Sequence, residues 1–266
     1  MSEAPTTAAP LLACRNVTRR FGALVAVNDL SFEVNANEIL GIGGPNGAGK
    51  TTLFDVISGF VQADEGAVLH RGEDISRMQP HEVCHHGLGR TFQLNANFGT
   101  LSVYENVLAA AQFGRHRSIL ASASFDPRAR ETAWELLELV GLQDLHDHEA
   151  SNLPVVDRKR MMIASALATR PDCLLMDEPV GGLNAREIEE MLGLVRRIRD
   201  GGTAIILIEH VMRFLVSLSD RVLIMHHGER LFLGKPGEMA HDEKVAEVYL
   251  GKKAAQRIRE FVGEGT

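Results

Sequence analysis

Cysteine is scarce: Cys14, Cys84 and Cys173 are the only three in 266 residues. The number is odd and no C-x-x-C spacing occurs, so they read as reduced, packed thiols of a cytosolic protein. Long apolar runs are also missing. None approaches the roughly 18 residues that a membrane span needs, and the longest candidates, such as Ala204–Ile208, are strand-sized. Excess basic charge is lacking too. A net charge of −7 and a pI of about 5.9 argue against general nucleic-acid binding. Residues 1–9 are rich in Ala, Pro and Thr, with no basic start and no apolar h-region. They read as a flexible extension, not a secretory signal. Internal repeats are absent.

What is present suffices for a sizeable core. The chain is 45% hydrophobic and 24% charged, enough for one domain or one domain with a subdomain.

Residues 44–51 read G-P-N-G-A-G-K-T and fit the phosphate-binding pattern G-x-x-x-x-G-K-[ST]. An apolar run (Ile39, Leu40, Gly41, Ile42) precedes them, and Thr52, Leu53, Phe54, Val56 and Ile57 follow at helical spacing. That is the strand–loop–helix context the motif needs. Gly44, Gly47 and Gly49 let the backbone N–H groups turn inward, and the helix N-terminus adds partial positive charge. Lys50 is expected to reach the β- and γ-phosphates of a nucleotide, and the Thr51 hydroxyl to hold Mg²⁺.

Two short strands are expected within residues 11–17 and 30–34, with Phe21 and Gly22 in the turn between them. Residues 66–75 predict a hairpin through Gly72. Residues 88–93 predict a short strand that stops at Gln93. From Val103 to Leu142 the apolar positions recur at helical spacing, which predicts a mostly helical subdomain over about 95–165. Its segment 114–130 reads as a long basic loop, with Arg115, Arg117, Arg128 and Arg130. Strand–helix alternation returns from residue 173 and implies a parallel sheet.

Cys173–Asp177 is an apolar strand ending in a carboxylate, which places Asp177 at the C-terminal sheet edge, where Mg²⁺ would complete its shell. Glu178 follows and can polarise an attacking water. Residues 203–208 form a second apolar strand, and His210 lies just past its end, able to donate to a γ-phosphate.

In order, G-P-N-G-A-G-K-T-T, R-T-F-Q, L-L-M-D-E-P, G-G-L-N and L-I-E-H resemble the ATPase subunit of an ABC transporter, over about residues 11–250. The resemblance implies an α/β fold: a P-loop NTPase core with a mixed, mainly parallel sheet, an antiparallel β lobe and an inserted α-helical subdomain. It implies one nucleotide-binding domain over 10–251 and a helical tail over 252–266. The implied cofactors are ATP and Mg²⁺. Phe21 matches the aromatic that stacks on adenine. Gly44, Pro45, Asn46, Gly47, Ala48, Gly49, Lys50, Thr51 and Thr52 match the phosphate loop. Thr51, Gln93 and Asp177 match the metal-binding positions. Glu178, His210, Lys50 and Gln93 match the catalytic ones. Gly182, Leu183 and Asn184 match the loop that meets the opposite subunit. Further stretches (F-G-A-L-V-A-V-N-D-L, G-L-G-R-T-F-Q, E-V-Y-L-G) are similar to the branched-chain amino-acid importer ATPases. That subgroup implies a second, different ATPase, two membrane permease subunits, a periplasmic solute-binding protein and a place on the cytoplasmic face of the inner membrane. Related members carry urea, amides or aromatic acids. A soluble non-transport ATPase and a nucleotide-binding regulator are the alternatives.

One motif departs from the family. Its signature loop, L-S-G-G-Q, is replaced by Leu153, Pro154, Val155, Val156 and Asp157, ahead of a helix expected over residues 158–169. Pro154 supplies neither hydroxyl nor N–H, and the branched Val side chains hinder close backbone approach. This loop serves the partner's ATP site, so an asymmetric heterodimer is expected. The alternative is that the Val155 and Val156 N–H groups suffice.

His81, Cys84, His85 and His86 cluster in sequence, but nothing elsewhere completes a tetrahedral metal set. The basic amphipathic segment 252–261 is expected to dock on its own domain, with Ile258 and Phe261 as anchors.

Overall fold

The structure is a computed structural model that describes residues 9–92, 97–114, 126–251 and 258. Its framework is two sheets. The smaller is antiparallel and joins β1 (Leu12–Phe21), β2 (Leu24–Val34), β4 (Glu65–His70) and β5 (Glu73–Asp74) in the order β2-β1-β4-β5. The larger holds β3 (Ile39–Gly43), β6 (Leu88–Arg90), β7 (Cys173–Asp177), β8 (Ala204–Ile208), β9 (Arg221–His226) and β10 (Glu229–Gly234), in the order β10-β9-β3-β8-β7-β6. All its pairings are parallel except β9 with β10. The mixed sheet and antiparallel lobe match expectation.

Buried apolar residues alternate between two core clusters along the central strands. Leu174, Met176, Ile205 and Leu207 face one cluster; Leu175, Ile206, Leu40 and Ile42 face the other. A parallel sheet covered on both faces therefore reads as continuous apolar runs. Helices α1 (Lys50–Ile57), α6 (Ala185–Asp200) and α7 (Met212–Leu218) follow β3, β7 and β8 in the chain. Between β6 and β7 the chain forms α3 (Val103–Phe113), α4 (Pro127–Val140) and α5 (Val155–Ala168), which pack on one another.

Local chemistry fixes several boundaries. Ser102 caps α3 in a reciprocal capping box with Glu105, and Asn184 does the same for α6 with Glu187. Asp126 caps α4, with Pro127 in its first turn. Arg128 and Arg130 therefore belong to a helix, not to the basic loop expected there; residues 115–125 lie outside the described ones. The first two strands are much longer than expected. They continue through polar residues to the Phe21–Leu24 pair, because the hairpin exposes one face to solvent. The helix after the signature position starts at Val155, three residues earlier than expected, with Pro154 as its N-cap. Pro lacks the N–H that a first turn leaves unpaired anyway, so it starts a helix well.

Ile258 is buried against the larger sheet's core, as expected of an anchor docked on its own domain; Phe261 lies outside the described residues. Helix α2 (Pro80–His85) carries His81, Cys84 and His85. Among the described residues no group of three or more His, Cys, Asp or Glu side chains is placed to hold a metal. No helix among them is long and apolar enough to cross a membrane.

Candidate nucleotide site

The phosphate loop leaves β3 and enters α1 through Gly49. Gly49 has φ 95°, and a Cβ there would meet the Ala26 carbonyl oxygen at 2.0 Å. Gly44 is equally constrained, since a Cβ would lie 2.3 Å from the Met225 carbonyl oxygen. Only glycine meets both demands. The N-terminus of α1, with its unpaired N–H groups, opens on a cleft of about 460 Å³. Asn46, Gly47, Thr51 and Thr52 line it on the loop side, and Phe21 stands at its far rim, 46% exposed. Arg19 lies over the Phe21 ring, 4.7 Å from its centre. Pro45 is tied into the loop by the Ala48 N–H, which donates to its carbonyl.

Lys50 is 6% exposed, and its ammonium donates to the Gly44 and Pro45 carbonyls at 2.7 and 2.9 Å. Burial lowers its pKa, against the nearby charges of Glu178 and Asp177. A buried ammonium beside a ring of loop N–H groups suits a polyphosphate.

The carboxylates arrive from β7. Asp177 is raised in pKa by burial, with Arg90 opposing. Glu178 adopts a left-handed φ of 48°. Its N–H donates to the Ile208 carbonyl, which keeps the end of β7 beside β8. His210 leaves β8 and brings its Nε2 3.0 Å from Glu178 Oε1. Lys50, Thr51, Asp177, Glu178 and His210 thus meet at one sheet edge, as expected. Hard oxygen donors at Thr51 and Asp177 beside the loop fit a magnesium ion. Gln93 lies outside the described residues.

Residues 90–92, just before it, are held by hydrogen bonds and ring contacts. Thr91 donates its N–H to Leu175 O, and the Asp177 N–H donates to Thr91 Oγ1 at 3.3 Å. Arg90 bonds Asp55 Oδ1 and Ser58 Oγ, both at 2.8 Å, and sits over the rings of Phe54, Phe60 and Phe92. Beside this anchor runs a mainly apolar groove of about 600 Å³, with the exposed rings of Phe60, Phe92, Phe98 and Phe113 along it.

Four residues near the site had not been singled out from sequence. Arg90 anchors the start of the segment leading to Gln93. Lys159 of α5 donates to the Glu178 carbonyl at 2.6 Å. The Tyr249 ring reaches the start of the phosphate loop, where a Cβ on Gly43 would lie 3.3 Å from its Cε1. Glu209 is buried between the two turns that carry Glu178 and His210. A carboxylate directly after an apolar strand is the one signal that could have marked Glu209.

The family model described as ABC transporter matches residues 27–181. The chain is 36% identical over 251 residues to the high-affinity branched-chain amino acid transport ATP-binding protein LivG of Salmonella typhimurium, covering 91% of this chain and 98% of LivG. It is 33% identical over 241 residues to the lipopolysaccharide export system ATP-binding protein LptB of Escherichia coli, covering 91% and 97%. The ADP conformation of an ATP-binding cassette of an ABC transporter superposes with a TM-score of 0.83 at 31% identity, covering 92% of this chain and 100% of that one. The chain belongs to the ABC transporter family, as one of its ATP-binding ATPase cassettes.

Proposed function

We propose that the chain, as one nucleotide-binding unit over residues 10–251, binds and hydrolyses ATP to drive import of branched-chain amino acids or a related small solute across the cytoplasmic membrane. The observation that carries the hydrolytic reading is the cleft beside Phe21, lined by Lys50, Glu178 and His210, with Asp177 at the same sheet edge. Phe21 stacks on the base. The phosphate loop, residues 44–52, and Lys50 hold the phosphates. Glu178 orients and polarises the attacking water, and His210 donates to the γ-phosphate. Thr51, Asp177 and Gln93 would hold Mg²⁺, which neutralises phosphate charge when bound.

The likeness to LivG, a branched-chain amino acid transport ATP-binding protein, supports transport and the solute class. In this reading the chain sits on the cytoplasmic face of the membrane, and a periplasmic binding protein delivers solute to its two permease subunits. The apolar groove lined by Arg90, Phe92, Phe98 and Leu101 suits the docking of a permease segment. Nucleic acid has no part in the reading.

We place the chain in a heterodimer with a second, different ATPase. The first turn of α5 keeps only part of what the family's loop supplies. The Val155, Val156 and Asp157 N–H groups precede its first intrahelical bond, from the Arg158 N–H to Pro154 O, so they remain as donors. The hydroxyl of the family's loop is gone, and Val155 is 40% exposed where close approach is needed. The partner's ATP site is thereby weakened, and this chain's own site is the working one.

The test is ATP-dependent uptake of labelled leucine into vesicles holding the full chain, its partner ATPase and the permeases. Uptake that stops with Glu178→Gln supports the reading. ATP turnover without uptake of leucine, amide or urea overturns the solute class. Export is the second reading, favoured by the likeness to LptB; lipid-linked sugar extracted from the same vesicles would establish it.

A further inference from the structure

Glu209 is 1% exposed, and the chemistry above does not use it. Its Oε1 accepts the Val180 N–H at 2.9 Å. Its Oε2 accepts the N–H groups of His210 and Val211 at 2.9 and 3.1 Å. Val180 lies in the turn that leaves β7, and His210 and Val211 lie in the turn that leaves β8. One carboxylate therefore fastens the two turns that carry Glu178 and His210. Burial raises its pKa, opposed by the three N–H donors and helped by the Glu178 charge. Burying a carboxylate is costly unless its bonds are filled, and an apolar residue would serve packing alone at lower cost.

The turn after β7 runs on toward the segment expected to meet the second ATPase. The Gly181 N–H donates to the Glu178 carbonyl at 3.3 Å, and the Leu183 N–H to the Val180 carbonyl at 3.1 Å. A shift of residues 181–184 thus reaches the Glu209 carboxylate through Val180.

We propose that Glu209 is a positioning residue: it sets the Glu178–His210 contact and links that contact to the partner-facing turn. The inference rests on the reading of Glu178 and His210 as hydrolytic. Glu209 acts through His210 and Val180, and it touches no nucleotide.

The experiment compares the full chain, mixed with its partner ATPase, as wild type, Glu209→Gln and Glu209→Asp. Gln keeps the size but turns one acceptor into an N–H donor facing an N–H. Asp keeps the charge but shortens the reach. Expected for Glu209→Gln is a fall in kcat of about 10–100-fold with KM for ATP within about twofold, the scale of outer residues that orient a reacting group. In the His210→Ala background the same change adds little, because the two act as one unit. The imidazole resonances of His210 in labelled protein move, while those of His241 stay. An unchanged kcat with unmoved His210 resonances overturns the proposal. Loss of nucleotide binding in both the Gln and Asp variants also overturns it, since Glu209 would then serve folding alone. An inactive wild type sinks the hydrolytic reading instead, and the His210 resonances still decide whether Glu209 holds that ring.

Discussion

The imidazole Nε2 of His210 stands 3.0 Å from the carboxylate Oε1 of Glu178, a contact between residues leaving adjacent parallel strands. No covalent or helical link brings them together. The pairing of Asp177 with Ile208 does, with the turn geometry just beyond it.

Glu178→Gln removes the proposed base and keeps the size. ATP turnover is expected to fall by about 10²–10⁴-fold, while nucleotide affinity stays within about twofold. Phosphate release and titration with a fluorescent nucleotide would measure the two. A loss below tenfold would mean that another group handles the water.

The replaced signature loop gives a second expectation. The chain alone should turn over ATP slowly, and addition of the second ATPase should raise the rate by about 10²-fold, the worth of a preorganised donor. The triple change Pro154→Ser, Val155→Gly and Val156→Gly should raise the rate of the chain alone. A fast chain alone, unaltered by the triple change, would make the loop competent as it stands.

Thiol labelling tests the groove. Cys14 and Cys173 are buried, and burial pushes both thiols far above their ordinary range. Cys84 is partly exposed at the groove; burial raises its pKa and a hydrogen bond with Thr169 opposes the rise. A maleimide should label Cys84 alone in the folded protein. Basal turnover should persist, and stimulation by the permeases should be lost. Stimulation that survives complete labelling would move the docking site elsewhere.

Asp172 supplies a pH signature away from the cleft. Burial would raise its pKa, but the His70 contact and the Arg71 guanidinium outweigh it, so the carboxyl lies below the ordinary 3.8. The His70 Nε2 is 2.9 Å from Asp172 Oδ1. A lowered folded pKa stabilises above the unfolded value and is lost as pH falls through the folded one. Asp172→Asn should therefore lower Tm by about 2–4 °C at pH 7. Below pH 3.8 the gap between the two proteins should close. A gap independent of pH, followed by thermal melts across that range, would make the residue's role steric.

Much of this was legible in sequence because it depends on local pattern. A strand, a glycine loop and a lysine at fixed spacing imply one geometry, and apolar runs ending in Asp177 or preceding His210 place those side chains at one edge. The length of β1 and β2 was hidden, since an exposed hairpin face carries polar residues that mimic loop. The early start of α5 was hidden by Pro154, which reads as a breaker yet caps a helix. Lys159 and Tyr249 reach the site from distant parts of the chain, and no spacing rule records such contacts.

The cleft also lies on a seam. The two sheets are joined by polar ties between β2 and the β9–β10 hairpin: the Asn28 N–H to Gly228 O, Asn28 Nδ2 to Glu229 Oε1, Arg221 to Glu33 O and Arg230 to Ser31 O. Phe21 belongs to one sheet, and Glu178 and His210 leave the other. A molecule held between them acts as mortar for the whole cassette. At a thousand times its dissociation constant a nucleotide adds about 4 kcal/mol to the folded state. The loaded cassette should thus resist heat and proteases far better than the empty one, so the cell's energy charge would set how long each copy of the protein survives.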